Sequence, residues 1–181
     1  ETYFYCDAHK ELSIRAARES ATLLKNDGLL PLAKDSKILI VGKLATSTNI
    51  VGSWAIFAEA DKTLTLAEAV KLRYPEADIE VYPYDEADEA MLSACEKCDA
   101  VIVCIGEEDG KTGESKSISD VSLCKEHQAL FDAVYGVNAK ILSFIYAGRP
   151  LAIPTLADKS KAILDVWYPG TFGNIGIWEL I

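Results

Sequence analysis

Five short apolar runs limit what this chain can fold into. Each ends at glycine or proline, and each is separated from the next by a stretch with helical spacing. The runs are Lys37–Val41 before Gly42, Ile79–Tyr82 before Pro83, and Ala100–Ile105 before Gly106. Ile141–Tyr146 follows, before Ala147–Gly148, and then Ala162–Tyr168, before Pro169–Gly170. Short β-prone runs bounded by breakers read as strands. The first and third are apolar throughout, the pattern of strands covered on both faces. Between the runs, Thr65-Leu-Ala-Glu68 forms a capping box for a helix that Pro75 stops. Asp85 is placed to cap a helix carrying Met91, Leu92 and Cys95, and His127, Leu130, Phe131 and Val134 fall at i, i+3, i+4 and i+7. Ahead of the first strand, Leu12, Ala16, Ala17, Leu23 and Leu24 predict a helix over 9–26, stopped by Asn26-Asp27-Gly28 and Pro31. Alternating strands and helices give a parallel sheet with helices on both faces. The predicted fold class is therefore α/β: a three-layer αβα sandwich, flavodoxin-like, with a mainly parallel sheet of five or six strands. Counting only the five runs, the expected strand order is 2-1-3-4-5.

At 181 residues and half apolar, the chain suits one domain with a sizeable core. Its net charge of −10 disfavours nucleic acid and anionic membranes and suits a neutral or cationic partner, a neutral sugar among them. No apolar run approaches the about 20 residues that a membrane span needs. Glu1–Tyr5 has neither the basic nor the apolar part of a secretory signal, and the start without Met and the uncapped end at Trp178–Ile181 point to a piece of a longer protein. The five cysteines are too few and odd in number for a disulfide framework. Cys104 belongs in the core. Cys95-x-x-Cys98 closes a helix and precedes a strand, whereas a redox pair follows a strand and opens a helix, and no second Cys or His pair completes a zinc site.

Loop lengths locate the chemistry. The segments after the first strand (43–62) and the third (107–123) are long, and those after the fourth and fifth are rich in Gly and Pro. All lie at the carboxyl ends of strands, where open α/β sheets bind ligands. The segment after the third strand, Gly106-Glu-Glu-Asp-Gly-Lys-Thr-Gly-Glu-Ser-Lys-Ser117, mixes carboxylates, small residues and lysines. It reads either as a solvated acidic loop or as a mobile, Gly-flanked loop delivering a general acid/base. Trp54, between Ser53 and the rest of the loop after the first strand, either stacks on a sugar face or packs under its own loop. Trp167 ends an apolar strand and is assigned to the core. His9 and His127, on helices without a nearby carboxylate cluster, are assigned no role. No phosphate-binding glycine motif and no Gly-x-Ser-x-Gly elbow is present.

The segment Ala16–Leu32 (AARESATLLKNDGLLPL) resembles the opening of the C-terminal domain of glycoside hydrolase family 3. The resemblance continues through Lys37–Gly42, Val51–Trp54, Ala100–Glu107, Gly148–Leu151 and Ala162–Gly170, covering about His9 to Gly173. It implies residues 1–35 as a lead-in helix and linker from an upstream (β/α)8 barrel and 36–181 as the α/β domain, shortened at its C-terminal end. It also implies a retaining, exo-acting β-glycosidase of β-glucosidase type. In such enzymes the barrel supplies the Asp nucleophile, and in many members this domain sends in the acid/base glutamate. Gly113-Glu114-Ser115 matches that segment, so the resemblance implies Glu114 as general acid/base, Lys116 and Ser117 as neighbours at the substrate, and Trp54 as a wall of the aglycone subsite. The implied partners are a small β-glycoside or oligosaccharide and the barrel, with no metal or organic cofactor. A periplasmic or extracellular location is implied for the parent, with the cytoplasm left open. The pattern departs from the family at Ile118, where many members carry Arg, and at Thr171-Phe-Gly-Asn174 and the tail Ile175–Ile181. Two rival readings stand beside this one: a non-catalytic domain that braces the barrel or binds sugar, and a stand-alone flavodoxin-like binding module.

Overall fold

Each apolar run of the sequence contributes a strand. The computed structural model describes residues 3–55, 59–107 and 110–181. In chain order the elements begin with α1 (Asp7–Ser20), β1 (Thr22–Asn26), β2 (Ile38–Val41), α2 (Leu66–Arg73), β3 (Ile79–Tyr82) and α3 (Glu89–Glu96). They continue with β4 (Ala100–Gly106), α4 (Lys125–Tyr135), β5 (Ile141–Tyr146), α5 (Pro154–Lys159), β6 (Ala162–Asp165) and α6 (Gly173–Trp178). Short 3-10 turns occupy Lys43–Thr46 and Ala60–Lys62. The sheet order is β3-β2-β4-β5-β6-β1. Strands β2 to β6 are parallel and follow the expected 2-1-3-4-5 order of the five runs, while β1 closes the edge antiparallel to β6.

Alternation along the strands divides the core between the two faces of the sheet. Ile38, Ile40, Ile102, Cys104, Phe144 and Leu164 face one side, with Ala17 of α1, Val70 of α2 and Ile177 and Trp178 of α6. Leu39, Val41, Val101, Val103, Ile145 and Ile163 face the other, with Met91 of α3, Leu130, Phe131 and Val134 of α4, and Leu156 of α5. The result is the three-layer αβα sandwich. Strand β4, paired on both sides and covered on both faces, is buried from end to end.

Three local expectations are corrected. The helix predicted over 9–26 stops at Ser20, and residues 22–26 form β1 instead. The outer edge of β6 carries backbone donors and acceptors that this segment satisfies, so tertiary pairing overrides helical spacing. Leu23 and Leu24 are then about half exposed, at 54% and 53%, and lie outside the core. Asp88, not Asp85, caps α3, accepting the Met91 N–H at 2.7 Å, because the helix starts at Glu89. Trp167 lies beyond β6 with φ of 55° and is only half-buried, its Nε1 donating to the Ser20 carbonyl at 3.2 Å. The Thr65–Glu68 capping box is formed as expected.

The C-terminal tail is part of the core. A Cβ on Gly176 would lie 2.2 Å from the Ile14 carbonyl oxygen, so α6 packs against the α1 backbone at a distance only glycine permits. Asn174 of α6, fully buried, accepts from Tyr146 Oη at 3.0 Å and donates to the Leu64 carbonyl at 3.0 Å. Just past α6, Glu179 accepts from Arg18 of α1 at 2.6 Å and from Arg73 of α2 at 2.9 Å. These contacts tie the first, second and last helices together. They also integrate residues 7–26 into the same body as the sheet.

Two measurements follow from these ties. Tyr146→Phe leaves the buried Asn174 oxygen without its donor, and denaturant unfolding should register a loss of about 1–3 kcal/mol. The Glu179 carboxyl is held below its ordinary value of 4.5 by Arg73 and then Arg18, against the opposing push of burial. A depressed folded pKa stabilises the fold above the ordinary value, and that contribution is lost as pH falls through the folded value. Glu179→Gln should therefore lower stability at neutral pH and flatten its decline below about pH 4.5, read by urea unfolding across that range.

Candidate functional site

Strand β4 ends at a point where its backbone touches that of β5. Gly106 has φ of 150°, and a Cβ there would stand 1.8 Å from the Tyr146 carbonyl oxygen, so no other residue fits. The Glu107 N–H then donates to Tyr146 O at 2.7 Å, extending the ladder by one bond. His127 holds Gly106 from below. This α4 residue is 3% exposed, and its Nδ1 lies 3.2 Å from the Gly106 nitrogen and 3.0 Å from the Gly106 oxygen. Its Nε2 faces Asp85 Oδ2 at 3.6 Å. Burial pushes the Asp85 carboxyl up, but the adjacent His127 ring and the Lys43 N–H, donated at 2.8 Å, hold it below the usual range. His127 thus has a carboxylate neighbour, and it braces the strand end beneath the long loop.

Glu107 is the first residue of that loop. Its carboxylate is buried and meets Arg149 in a two-pronged pair, Nε to Oε2 at 3.1 Å and Nη2 to Oε1 at 2.7 Å. Arg149 Nη2 also donates to the Asp120 carbonyl at 3.2 Å. The Glu107 carbonyl accepts from Tyr168 Oη at 3.3 Å. The Tyr168 ring packs against two glycines. A Cβ on Gly148 would lie 3.0 Å from its Cε2, and one on Gly52 3.4 Å from its Cδ2. Tyr168 therefore joins the loops that follow β2, β4, β5 and β6.

Further out, the Lys116 N–H donates to the Gly113 carbonyl at 3.1 Å, closing a turn with Glu114 and Ser115 at its centre. Ser115 takes φ of 60°, a left-handed conformation that costs a non-glycine residue on the order of 1 kcal/mol. A Cβ on Gly113 would sit 3.2 Å from Ser53 Cβ, so the Glu114 turn rests directly on the loop that bears Trp54. The structure brings Glu114 and Trp54 onto adjoining loops. Glu114, Lys116 and Ser117 are exposed, and Trp54 is 67% exposed rather than tucked under its own loop. Glu108 and Asp109 lie outside the described residues.

Two cavities border the loop. One of about 230 Å³ lies between Glu107, Lys111, Ile118, Asp120 and Cys124. A larger one of about 810 Å³ lies among Lys43, Asp85, Lys111, Cys124 and His127. Neither includes Glu114, Trp54, Lys116 or Ser117. Those four residues form an open rim, which needs an opposing wall to enclose a small molecule. Cys95 and Cys98 sit at the other edge of the sheet, and burial pushes the Cys95 thiol up to about 12, leaving little reactive thiolate. Among the described residues no group of three or more His, Cys, Asp or Glu could hold a metal ion, and no helix is long and apolar enough to cross a membrane.

Sequence reasoning singled out the loop tip and missed its supports. Glu107 was one of several acidic residues in the run, and Arg149, Asp85 and His127 are remote from it in sequence. Two signals for Glu107 and Arg149 stand in the sequence: both lie just past the carboxyl ends of strands, and both fall in segments that resemble the family.

Known proteins share this architecture. The β-glucosidase of Listeria innocua, solved in complex with gluconolactone, superposes with a TM-score of 0.88 at 29% identity, over 97% of this chain and 25% of that one. The GH3 β-glucosidase of Bifidobacterium adolescentis gives 0.86 at 26% identity, over 99% of this chain and 27% of that one. In sequence, the chain is 26% identical to the periplasmic β-glucosidase of Salmonella typhimurium across 96% of its own length and 26% of the relative's. It is also 26% identical to a β-xylosidase of Formosa agariphila, over 91% and 25%. The chain thus spans about a quarter of the length of the curated relatives it matches. The family model described as the glycosyl hydrolase family 3 C-terminal domain matches residues 21–181, and the chain belongs to that family.

Proposed function

We propose that this domain completes the active site of a retaining β-glycosidase by presenting Glu114 as general acid/base to an adjoining barrel. The observation that carries this reading is the Glu114 turn: exposed at the carboxyl edge of β4, strained at Ser115, and seated on the loop that carries the exposed Trp54. An open rim of this kind suits a site whose other wall comes from a second domain. In the first step a barrel aspartate attacks the anomeric carbon, and the protonated Glu114 gives its proton to the departing glycosidic oxygen. In the second, the Glu114 carboxylate takes a proton from water as that water displaces the enzyme carboxylate, restoring both groups and retaining configuration.

Trp54 offers an apolar face and an indole N–H to the aglycone. Lys116 and Ser117, exposed beside the turn, supply donors to hydroxyl groups of the leaving portion. A neutral β-glycoside fits the acidic surface, and β-glucosides are the first choice because the Listeria, Bifidobacterium and Salmonella relatives are β-glucosidases. Residues 1–35 would lead in from the barrel, with 7–26 folded onto the sandwich, and 36–181 would form the rest of the partner domain. The periplasmic description of the Salmonella relative supports a location outside the cytoplasm.

Two results test this reading. The 181-residue chain alone should not hydrolyse aryl β-glucosides, and turnover traceable to it would end the two-part scheme. In the protein that joins this domain to its barrel, Glu114→Gln should slow glycosylation on the order of 10²–10⁴-fold for alkyl leaving groups. Dinitrophenyl glycosides, whose leaving group needs no proton, should lose far less. Unchanged kinetics with alkyl glycosides would instead make this a bracing domain.

A further inference from the structure

We propose that Arg149 is the positioning residue of the Glu114 turn, a single guanidinium that clips the two ends of the loop together and so sets where the carboxyl group stands. The proposal rests on the acid/base reading of Glu114. The loop leaves the sheet at Glu107 and returns at Asp120. Arg149 holds both residues, the first through its carboxylate at 3.1 and 2.7 Å and the second through its carbonyl at 3.2 Å. The return limb is then stitched to the segment that carries Arg149. Ala152 N–H donates to Val121 O at 2.8 Å, and Ser122 forms a parallel bridge with Ala152.

The clip is itself rigid. Arg149 follows Gly148, which is packed under the Tyr168 ring, and Tyr168 also binds the Glu107 carbonyl. A planar fork makes two parallel bonds to one carboxylate and directs a further N–H to a third acceptor, which a lysine ammonium cannot do with the same geometry. The Glu107 side chain is only 8% exposed, so losing its partner would leave a buried carboxyl group unpaired at the base of the loop and favour its movement toward water. The turn at the tip has two described supports, Ser53 beneath Gly113 and the return limb at Asp120 that Arg149 holds, so loss of the second leaves the turn seated on the first alone. A displacement of about 1 Å at a reacting group is enough to cost on the order of 10²-fold in rate.

The test uses the protein that joins this domain to its barrel, with Arg149→Ala, Arg149→Lys and Glu107→Gln beside Glu114→Gln. Two quantities are read: kcat/KM for methyl and dinitrophenyl β-glucosides, and amide hydrogen exchange of Glu107 and Ala152. Arg149→Ala should lower the rate for the methyl glucoside at least roughly tenfold more than for the dinitrophenyl glucoside, and should speed exchange at both amides. Arg149→Lys and Glu107→Gln, which keep the volume of the pair, should fall between it and the parent. A general loss of folding would depress both substrates equally. Equal losses from Arg149→Ala or unchanged exchange, alongside a leaving-group-dependent loss from Glu114→Gln, would overturn the clip and leave the acid/base role standing. If Glu114→Gln itself shows no leaving-group dependence, the acid/base role falls. Exchange then decides the clip: faster exchange keeps it as the loop's anchor, and unchanged exchange removes it.

Discussion

Backbone contact between β4 and β5 at Gly106 constrains everything above it. The chain must leave the sheet there without a side chain, and the next residue, Glu107, must bury a carboxylate at the mouth of the sandwich. Burying that charge is tolerable only with a partner of fitting geometry, and Arg149 is that partner. Beneath the contact, His127 holds the same glycine from the α4 side, with Asp85 facing its other ring nitrogen. The strand end is thus fixed from below, and the loop is fixed at its base. Only its outer turn projects.

The division of labour follows from that arrangement. The sandwich supplies rigidity, with apolar side chains on alternate sides of the strands and helices on both faces. The loops at the carboxyl edge share one aromatic post, Tyr168, which touches the glycines of two of them and binds the backbone of a third. A carboxylate on such a support can be held in one place while remaining open to a partner domain. The role proposed for Glu114, an acid meeting a substrate held by another domain, needs both properties.

The return limb of the loop and the C-terminal tail are each held by contacts remote in sequence. The loop's base is tied by Arg149, without requiring a cation at position 118. The tail's Gly173, Asn174 and Gly176 are small or hydrogen-bonded because α6 lies against α1 almost backbone to backbone, and Asn174 closes a buried polar link between Tyr146 and Leu64.

The sequence by itself determined the layers and the five strands that run parallel. Apolar runs of strand length with breakers at their ends, alternating with helical spacing, leave few other ways to bury both faces of a sheet. It also marked the loop that carries Glu114, from length and from position at a strand's carboxyl end. It misread Thr22–Asn26, because the reason for a strand there is the unpaired edge of β6, far along the chain. For the same reason it offered Asp85 only as a helix cap, His127 only as a helix residue without a role, and Arg149 only within a resembling segment. A side chain's partner in an ion pair or a buried contact is set by which strand ends lie next to one another, and that adjacency exists only once the sheet has formed. Local spacing marked the five parallel strands and most of the helices, and tertiary contact decided the sixth strand and what holds the base of the loop.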